Sequence, residues 1–288
     1  GNDSIYGDDG ADELAGGDDD DYISGGDGDD TLDGDAGVDV LVGGAGADTM
    51  NGGTGDDILH AHGLDAVAIS DILFNNPNVV YSQETGSFYQ FVSANVDYAA
   101  AVAAASATTL NGVAGHLATI TSAAENTYVS GLLSDDSYIS GADIAQNGTW
   151  QWNAGLEAGV QFSDVSGTSV NGMYENWASG QPQVNTEYNA ILYTTGVWHD
   201  WVDTSTHSYV IEWEAGLMSD DGAADILSGG AGNDWIYGYD GDDTLNGDGD
   251  DDVIFGGDGS DIIDGGSGND VLFAYDATVQ TSGTAGGG

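Results

Sequence analysis

A nine-residue register of aspartate and aliphatic side chains restricts the fold of this chain more than any other feature. In each nonapeptide an Asp is followed two residues later by a large apolar side chain, as in Asp30 with Leu32 and Asp48 with Met50. A short fixed period predicts a solenoid in which each repeat stacks on its neighbours. The register holds without an insertion through two blocks, at Asp3, Asp12, Asp21, Asp30, Asp39, Asp48 and Asp57, and then at Asp225, Asp234, Asp243, Asp252, Asp261 and Asp270.

The spacing also predicts how each repeat is built. Paired glycines such as Gly25-Gly26 and Gly256-Gly257 allow backbone angles that other residues avoid, so each repeat begins with a tight turn. A short strand follows, and alternation places the apolar residue on one face. If two nonapeptides form one solenoid turn, each Asp faces its equivalent about 18 residues away, and its carboxylate joins turn carbonyls in an oxygen cage suited to calcium. Seven and six repeats then predict roughly five and four interior sites.

The charge composition indicates the same cation. The chain has 50 acidic residues and neither Lys nor Arg. That balance excludes a nucleic-acid binder, because nothing neutralises phosphates, and it disfavours docking on anionic lipid. Dense carboxylates repel one another unless a cation lies between them, and oxygen ligands prefer a hard cation such as Ca²⁺. Since Cys is absent, disulfides and thiolate metal sites are excluded as well.

Other interpretations of the repeats explain less. An acidic disordered linker accounts for the composition but not for the register. An EF-hand fails because no D-x-D-x-D-G loop is followed by Glu at the twelfth position. Neither H-E-x-x-H nor G-x-S-x-G occurs, so we predict that this segment is not an enzyme. No stretch approaches the ~20 apolar residues of a membrane span.

Two histidines end the first block. His60 and His62 are two residues apart, so on a strand they would share a face. We interpret them as polar residues that close the first solenoid. A transition-metal site is the alternative, for which the sequence offers no evident third ligand.

The middle of the chain, from about 63 to 217, differs in composition and holds six of the seven Trp residues and both Pro residues. An Ala-rich run within residues 95–111 predicts a helix. Ser122 and Glu125 form a capping box that begins a second helix toward Leu133. Strands are predicted at 150–152, 188–193, 197–201 and 209–213. Two helices followed by strands indicate an α+β domain.

The repeats resemble the RTX consensus G-G-x-G-x-D-x-U-x, in which U is a large apolar residue. Residues 25–33 and 265–273 match it fully, whereas Asp19 and Tyr239 replace glycines elsewhere. The resemblance implies β-rolls loaded with several calcium ions. It also implies type I secretion from a Gram-negative bacterium, with folding outside the cell because cytosolic calcium is scarce.

The middle segment resembles C-type lectin-like domains. Residues 115–122 with Glu125 are similar to the family's "LA.I.S..E" segment, and residues 176–183, 196–200 and 209–212 to its "W..GEPN", "G.WND" and "YVCE" segments. Asn189 and Ile211 stand where the family has Cys. The family's calcium and sugar ligands fall on Gln181, Gln183, Glu187, His199 and Asp200, of which only Glu187 and Asp200 keep the expected identity.

These departures bear on the predicted sugar site. Gln181 can offer an amide oxygen, but Gln183 is longer than the usual Asn or Asp, and His199 is a poor ligand for a hard cation. The resemblance implies that Pro182 sets a turn, often with a cis peptide bond. Trp198 is interpreted as a core residue rather than a platform for ligand.

We therefore predict a multidomain chain. Calcium-loaded parallel β-roll blocks at 1–62 and 218–276 flank an α+β C-type lectin-like domain at 63–217, and a flexible tail follows at 277–288. Whether the two solenoids are separate or stack as one is left open. Because the chain opens within a repeat at Gly1, we expect a segment of a longer protein.

The predicted function is that of an extracellular adhesin segment, secreted or at the cell surface. Its solenoids fold on calcium and present a lectin-like domain that binds surface glycans. The first alternative is a structural or matrix protein whose middle domain contacts extracellular protein and binds no sugar. The second is a secreted enzyme whose catalytic part lies outside this segment.

Overall fold

The chain divides into two compact units in a computed structural model. The first unit comprises Gly1–Ile72, Gln83–Gly86 and Glu214–Gly288, and the second comprises Leu73–Ser82 and Ser87–Trp213. Both predicted repeat blocks thus belong to one unit, while the exact boundaries predicted at 62/63 and 217/218 stay predictions. The structure describes residues 1–64, 66–82, 85–164, 166–170, 173–183, 188–202, 204–219, 222–274 and 280–283.

Two seven-stranded sheets of parallel strands form the first unit. Successive strands along the chain alternate between the sheets, as expected when two nonapeptides make one solenoid turn. One sheet contains, in spatial order, Ser4–Asp9, Tyr22–Asp27, Val40–Ala45, Ile58–His60, Trp235–Tyr237, Val253–Phe255 and Val271–Phe273. The other contains Glu13–Asp18, Thr31–Ala36, Thr49–Thr54, Ile226–Ala231, Thr244–Gly249, Ile262–Gly266 and Gln280–Gly283.

The two repeat blocks stack as one continuous roll. Strand Ile58–His60 pairs with Trp235–Tyr237, and Thr49–Thr54 pairs with Ile226–Ala231, in both cases in parallel. We call the junction between the two blocks, where residues 48–62 meet residues 222–237, the seam. The register aligns Leu59 with Ile236, so the repeat period continues across the seam. This answers the question that the sequence left open, and the predicted parallel β-roll is confirmed.

A ladder of apolar side chains fills the roll. The residue two positions after each Asp points inward, and most of these side chains are buried, as the alternation predicted. The fully or nearly fully buried members are Ile23, Leu32, Leu41, Met50, Leu59, Leu227, Ile236, Leu245, Ile254 and Ile263. A second ladder stacks His60, Tyr237, Phe255 and Phe273, with ring centroids 4.8–5.1 Å apart.

The turns need positive φ angles, and six non-glycine residues of the described roll adopt them, namely Asp8, Asp19, Asp35, Tyr239, Asp248 and Asp250. Asp19 has a φ of 78° and Tyr239 a φ of 69°, at the positions where the sequence departs from the glycine consensus. Asp tolerates this region better than a bulky residue does. Tyr239 is therefore the more strained substitution, and its hydroxyl has a partner in His60 at 2.8 Å.

The second unit is α+β, as predicted. Its main sheet has nine strands, Gln161–Ser163, Trp150–Trp152, Ser137–Ala142, His207–Glu214, Ser87–Val96 and Val80–Ser82 in spatial order, with His116–Leu117, Asn189–Leu192 and Trp198–Trp201 paired to it. A separate pair joins Thr109–Leu110 to Val113–Ala114. The helices in the described ranges are Ala66–Asn75, Tyr98–Ser106, Ala123–Leu132 and Gly216–Ser219.

Local sequence signals located the two helices of this unit. Asp97 caps the helix Tyr98–Ser106 by accepting a hydrogen bond from the Ala100 backbone N–H. Ser122 caps Ala123–Leu132 by accepting a hydrogen bond from the Glu125 backbone N–H, which confirms the predicted start of this helix. The Glu125 carboxylate accepts from the Thr121 N–H, one residue before the partner that a capping box uses. Trp198 is fully buried and donates its indole N–H to Asn126 Oδ1 at 2.7 Å, which confirms its assignment to the core. The long strand Ser87–Val96 and the helix Ala66–Asn75 were not predicted.

Part of the predicted tail has regular structure. Strand Gln280–Gly283 pairs in parallel with Ile262–Gly266, in a segment for which we predicted flexibility. Residues 277–279 and 284–288 of that segment lie outside the described part of the chain. In the described ranges, no helix is long and apolar enough to cross a membrane.

The apolar ladder predicts a position-dependent loss of stability. Ile254 is 0% exposed and Ile262 is 52% exposed, although both lie in strands of the roll. We expect Ile254→Ala to lower the free energy of unfolding by about 2–5 kcal/mol, because it leaves a cavity. Ile262→Ala is the matched control and should change it by no more than about 0.5 kcal/mol. Urea unfolding of the calcium-saturated chain measures both, and equal effects would contradict the inward ladder.

Candidate functional site

The repeat aspartates form a hydrogen-bonded ladder along each edge of the roll. The backbone N–H of Asp21 donates to Asp39 Oδ1 at 2.8 Å, and that of Asp30 donates to Asp48 Oδ1 at 2.9 Å. The predicted pairing of each Asp with its equivalent 18 residues away is therefore confirmed. One edge contains Asp3, Asp21, Asp39, Asp57, Asp234, Asp252 and Asp270, and the other contains Asp12, Asp30, Asp48, Asp225, Asp243 and Asp261.

The second carboxylate oxygen of most of these residues is buried and receives no hydrogen bond within the described structure. Leaving a buried polar atom without a partner costs roughly 1–3 kcal/mol, and more when the group is charged. A whole ladder of such oxygens is stable only if a cation reaches them or if the carboxylates take up protons. The oxygens concerned are Oδ2 of Asp12, Asp21, Asp30, Asp39, Asp48, Asp57, Asp234, Asp243 and Asp252.

Burial also shifts the acidity of the ladder. It raises the pKa of Asp39 to about 6, of Asp48 to about 7 and of Asp252 to about 8. The hydrogen bond from the backbone N–H works in the opposite direction, and neighbouring carboxylates add to the rise. Burial likewise raises the pKa to about 7 in Asp57, Asp234 and Asp243. The protein alone therefore holds these carboxylates in an environment that opposes their charge.

The ladder has the donor chemistry of a calcium site. A Cβ on Gly52 would lie 2.5 Å from Asp57 Oδ2 and 2.5 Å from the Gly229 carbonyl oxygen, so only glycine leaves room where these oxygens converge. In the described ranges, no three His, Asp or Glu side chains cluster closely enough to hold an ion by themselves. Calcium takes six to eight oxygens, including carbonyls and water. The repeat aspartates would therefore hold Ca²⁺ together with turn carbonyls.

The predicted sugar site is partly assembled. Gln181 Nε2 lies 3.2 Å from His199 Nδ1, and the Gln183 backbone N–H donates to Asp200 Oδ2 at 2.6 Å. The Gln181–Pro182 peptide bond is cis, as the resemblance implied. Gln181 Oε1 is buried and accepts no hydrogen bond within the described structure. Glu187 lies outside the described residues.

Two features of this cluster weaken it as a calcium site. The His199 ring stacks on Tyr193, with centroids 4.1 Å apart and an interplanar angle of 8°. That stacking and the contact with Gln181 hold the imidazole in place without a metal. Asp200, which is 0% exposed, already binds a backbone N–H, so its carboxylate also has a structural task.

Sequence reasoning missed a buried carboxylate cluster in the second unit. Tyr89 Oη lies 2.6 Å from Glu125 Oε1 and 3.0 Å from Glu212 Oε1. Thr119 Oγ1 lies 3.1 Å from Glu157 Oε2, and burial raises the pKa of Glu125. Glu125 and Glu212 stood out only as parts of separate motifs, because nothing local indicates that distant glutamates converge.

The two histidines of the first block are buried in the roll. His60 Nδ1 lies 2.8 Å from Tyr239 Oη, and His62 Nδ1 lies 2.9 Å from the Gly44 carbonyl oxygen. His62 Nε2 lies 3.6 Å from Asp225 Oδ2. Both rings also lie against the Tyr239 ring, with centroids 6.1 Å away, but their Nδ1 atoms bond to different groups, a hydroxyl for His60 and a carbonyl for His62.

A family model for the RTX calcium-binding nonapeptide repeat matches residues 1–32, 33–63, 220–254 and 237–272. The chain carries RTX calcium-binding repeats. The matched residues include every aspartate of the two ladders, so calcium is the metal that these repeats are built to bind.

Known proteins are similar to parts of the chain. Halomucin from Haloquadratum walsbyi is 32% identical over 149 residues, which is 50% of this chain but 2% of halomucin. The solved C-type lectin CEL-I from Cucumaria echinata aligns over 47% of this chain and 94% of its own, with 20% identity and a TM-score of 0.37. The C-type lectin carbohydrate-recognition domain of the mouse scavenger receptor aligns over 48% and 95%, with 22% identity and a TM-score of 0.37.

The ladder predicts which aspartates bind calcium. Asp30→Ala and Asp48→Ala should each lower the number of bound ions and weaken folding, because each removes a carboxylate from a shared gap between turns. Asp29→Ala is the matched control, since Asp29 is exposed and only accepts a hydrogen bond from the Ala47 N–H. Calorimetric calcium titration distinguishes the variants. Unchanged stoichiometry in Asp30→Ala and Asp48→Ala would contradict the pairing.

The raised pKa values predict opposite pH dependences with and without calcium. A free Asp has a pKa of ~3.9, so between about pH 4 and 7 the folded roll holds protons that the unfolded chain has released. In chelator the roll is therefore most stable below about pH 4, and it loses stability as pH rises through about 6 to 8. In calcium, protons compete with the metal, so stability should rise with pH.

Far-UV circular dichroism from about pH 8 to about pH 4 tests this. The range covers the pKa values of the buried ladder, about 6 to about 8, and reaches down to the ~3.9 of a free Asp. In chelator, β-structure should increase as the solution is acidified. A chain that gains none on acidification would contradict the protonation of the ladder. The same titration in calcium is the control, and a parallel trend there would contradict metal binding by these carboxylates.

Proposed function

We propose that this chain is a segment of an extracellular surface protein, in which calcium folds one β-roll from both repeat blocks. The observation that carries the proposal is the ladder of buried Asp Oδ2 atoms without hydrogen-bond donors. The chain offers no Lys or Arg to neutralise them. A solvent cation must therefore complete the roll, and RTX repeats are calcium-binding motifs.

This requirement suits a protein that folds after export. With 50 acidic residues and neither Lys nor Arg, the calcium-free chain repels itself at neutral pH and stays extended. Extracellular calcium then couples binding to folding. Type I secretion from a Gram-negative bacterium accords with this order of events, and the name of the curated relative, halomucin, suits a surface role.

We further propose that the second unit binds carbohydrate, which makes the segment adhesive. Gln181 Oε1 is buried without a donor and lies in the cluster that contains Asp200. These are two of the positions that the C-type lectin resemblance implies for a calcium and sugar site. The structural alternative, in which this unit contacts protein and binds no sugar, is favoured by His199, whose ring is held by Tyr193 and Gln181.

A separate cavity offers another place for a sugar in the same unit. It has a volume of about 520 Å³ and is lined by Tyr98, Val102, Ile144, Asn153 and Tyr188, among others. Ile144 is 65% exposed. An apolar wall beside amide and hydroxyl groups is the usual composition of a small-molecule pocket.

A glycan array with the calcium-loaded chain tests the proposal and locates the sugar. Asp200→Asn should abolish binding at the resemblance site, because it removes a charge that calcium needs. The fold should survive, since an Asn oxygen still accepts the hydrogen bond from Gln183. Asp135→Asn, at an exposed position of the same unit, is the matched control and should bind as the wild type does.

Each other outcome has a defined meaning. Binding that survives Asp200→Asn would refute the resemblance site and direct attention to the cavity beside Ile144. A folded, calcium-loaded wild type that binds no glycan would refute the adhesive proposal and leave the structural alternative.

A further inference from the structure

The residues between the two repeat blocks are inserted within a single turn of the roll. A Cβ on Gly43 would clash with the Ala61 carbonyl, just as one on Gly25 would clash with the Gly43 carbonyl, so Ala61 takes the first position of the next turn. A Cβ on Gly241 would likewise clash with the Ala223 carbonyl. The first part of this turn therefore comes from Ala61 and His62, and its last part from residues 222–225.

The seam contains one aspartate pairing on each edge. The Asp48 N–H donates to Asp225 Oδ1 at 2.7 Å, and the Asp57 N–H donates to Asp234 Oδ1 at 2.8 Å. Each pair is 177 residues apart in sequence, whereas pairs within a block are 18 apart. By this hydrogen bond alone, the two edges of the seam are equivalent to each other and to the gaps within each block.

The turns on the two edges differ at their second residue. On the Asp57–Asp234 edge both turns are continuous and carry glycine there, and a Cβ on Gly230 would clash with the Gly53 carbonyl. On the Asp48–Asp225 edge, the interrupted turn carries His62 at this position. At the seam itself only this edge has a side chain at the second position, whereas elsewhere in the roll Asp8, Asp35, Tyr239 and Asp248 take the place of that glycine.

The imidazole of His62 lies among the oxygens of that gap. Its Nδ1 is 2.9 Å from the Gly44 carbonyl oxygen, which can only accept, so Nδ1 carries the hydrogen and donates it. Its Nε2 is 3.6 Å from Asp225 Oδ2, and both side chains are 0% exposed. A turn carbonyl and a repeat carboxylate, the two ligand types of the other gaps, thus both face the imidazole.

We infer that the His62 side chain takes the place of a calcium ion between Asp48 and Asp225, so that the interrupted turn closes on a side chain and holds no metal. This inference rests on calcium binding by the other gaps, as proposed above. The Ala61 carbonyl keeps the place that the Gly229 carbonyl has on the other edge. What distinguishes the interrupted turn is the buried imidazole, which fills space beside Asp225 and donates to the carbonyl of the preceding turn.

Native mass spectrometry of the calcium-saturated chain counts ions directly. His62→Ala should bind one ion more than the wild type, because it opens the gap. His62→Gly should also bind one ion more, and it introduces the residue that the Gly53 and Gly230 turns carry at this position. His60→Phe is the matched control: His60 stacks on Tyr237 in the same roll, and its replacement should leave the count unchanged. Equal, non-zero counts in the wild type and both His62 variants would overturn the inference.

A measurement on the wild type keeps the inference testable if the variants do not fold. Crystals grown with terbium in place of calcium should show anomalous peaks at the Asp57–Asp234 gap and none beside His62. A peak bound to Asp225 Oδ2 at the imidazole would refute the inference. A folded chain that takes up no ions in either experiment would instead refute the proposed calcium-dependent roll.

Discussion

The hydrogen bond from the backbone N–H of one repeat aspartate to the carboxylate of the next aspartate along the edge is the contact on which the roll depends. It joins Asp21 to Asp39 and Asp30 to Asp48, and it recurs without a change of register along both edges. A slip of one residue would turn every side chain of the ladder to the other face. The same contact buries the carboxylates, so it creates the need for a cation while it sets the register.

Electrostatics then connects the fold to its surroundings. Burial raises the pKa of Asp48 and Asp57 to about 7, and the chain has neither Lys nor Arg to reverse that shift. In most proteins a buried acid is paired within the molecule. Here the counter-charge is left to the solvent, which is the physical basis of the calcium-dependent folding proposed above.

The insertion is possible because a solenoid turn contacts only its neighbours. The turn that contains Ala61 and Ala223 is built from two segments, yet the aspartates on either side pair as they do elsewhere. An interruption is therefore confined to one turn, and the seam can be closed locally. Within that turn Ala61, His62 and Ala223 stand where the Gly53 and Gly230 turns of the opposite edge have glycine, and of these only His62 brings a polar side chain into the roll.

The sequence by itself determined the solenoid, its 18-residue pairing and the inward position of residues such as Leu41 and Ile254, because a strict period encodes contacts between neighbouring repeats. Capping residues likewise predicted the helix Ala123–Leu132. Only the tertiary structure decided that the blocks join, that Glu125 and Glu212 meet at Tyr89, and that His62 faces Asp225. These contacts join residues that are distant in the chain, and they depend on packing geometry, which local periodicity and residue type do not encode.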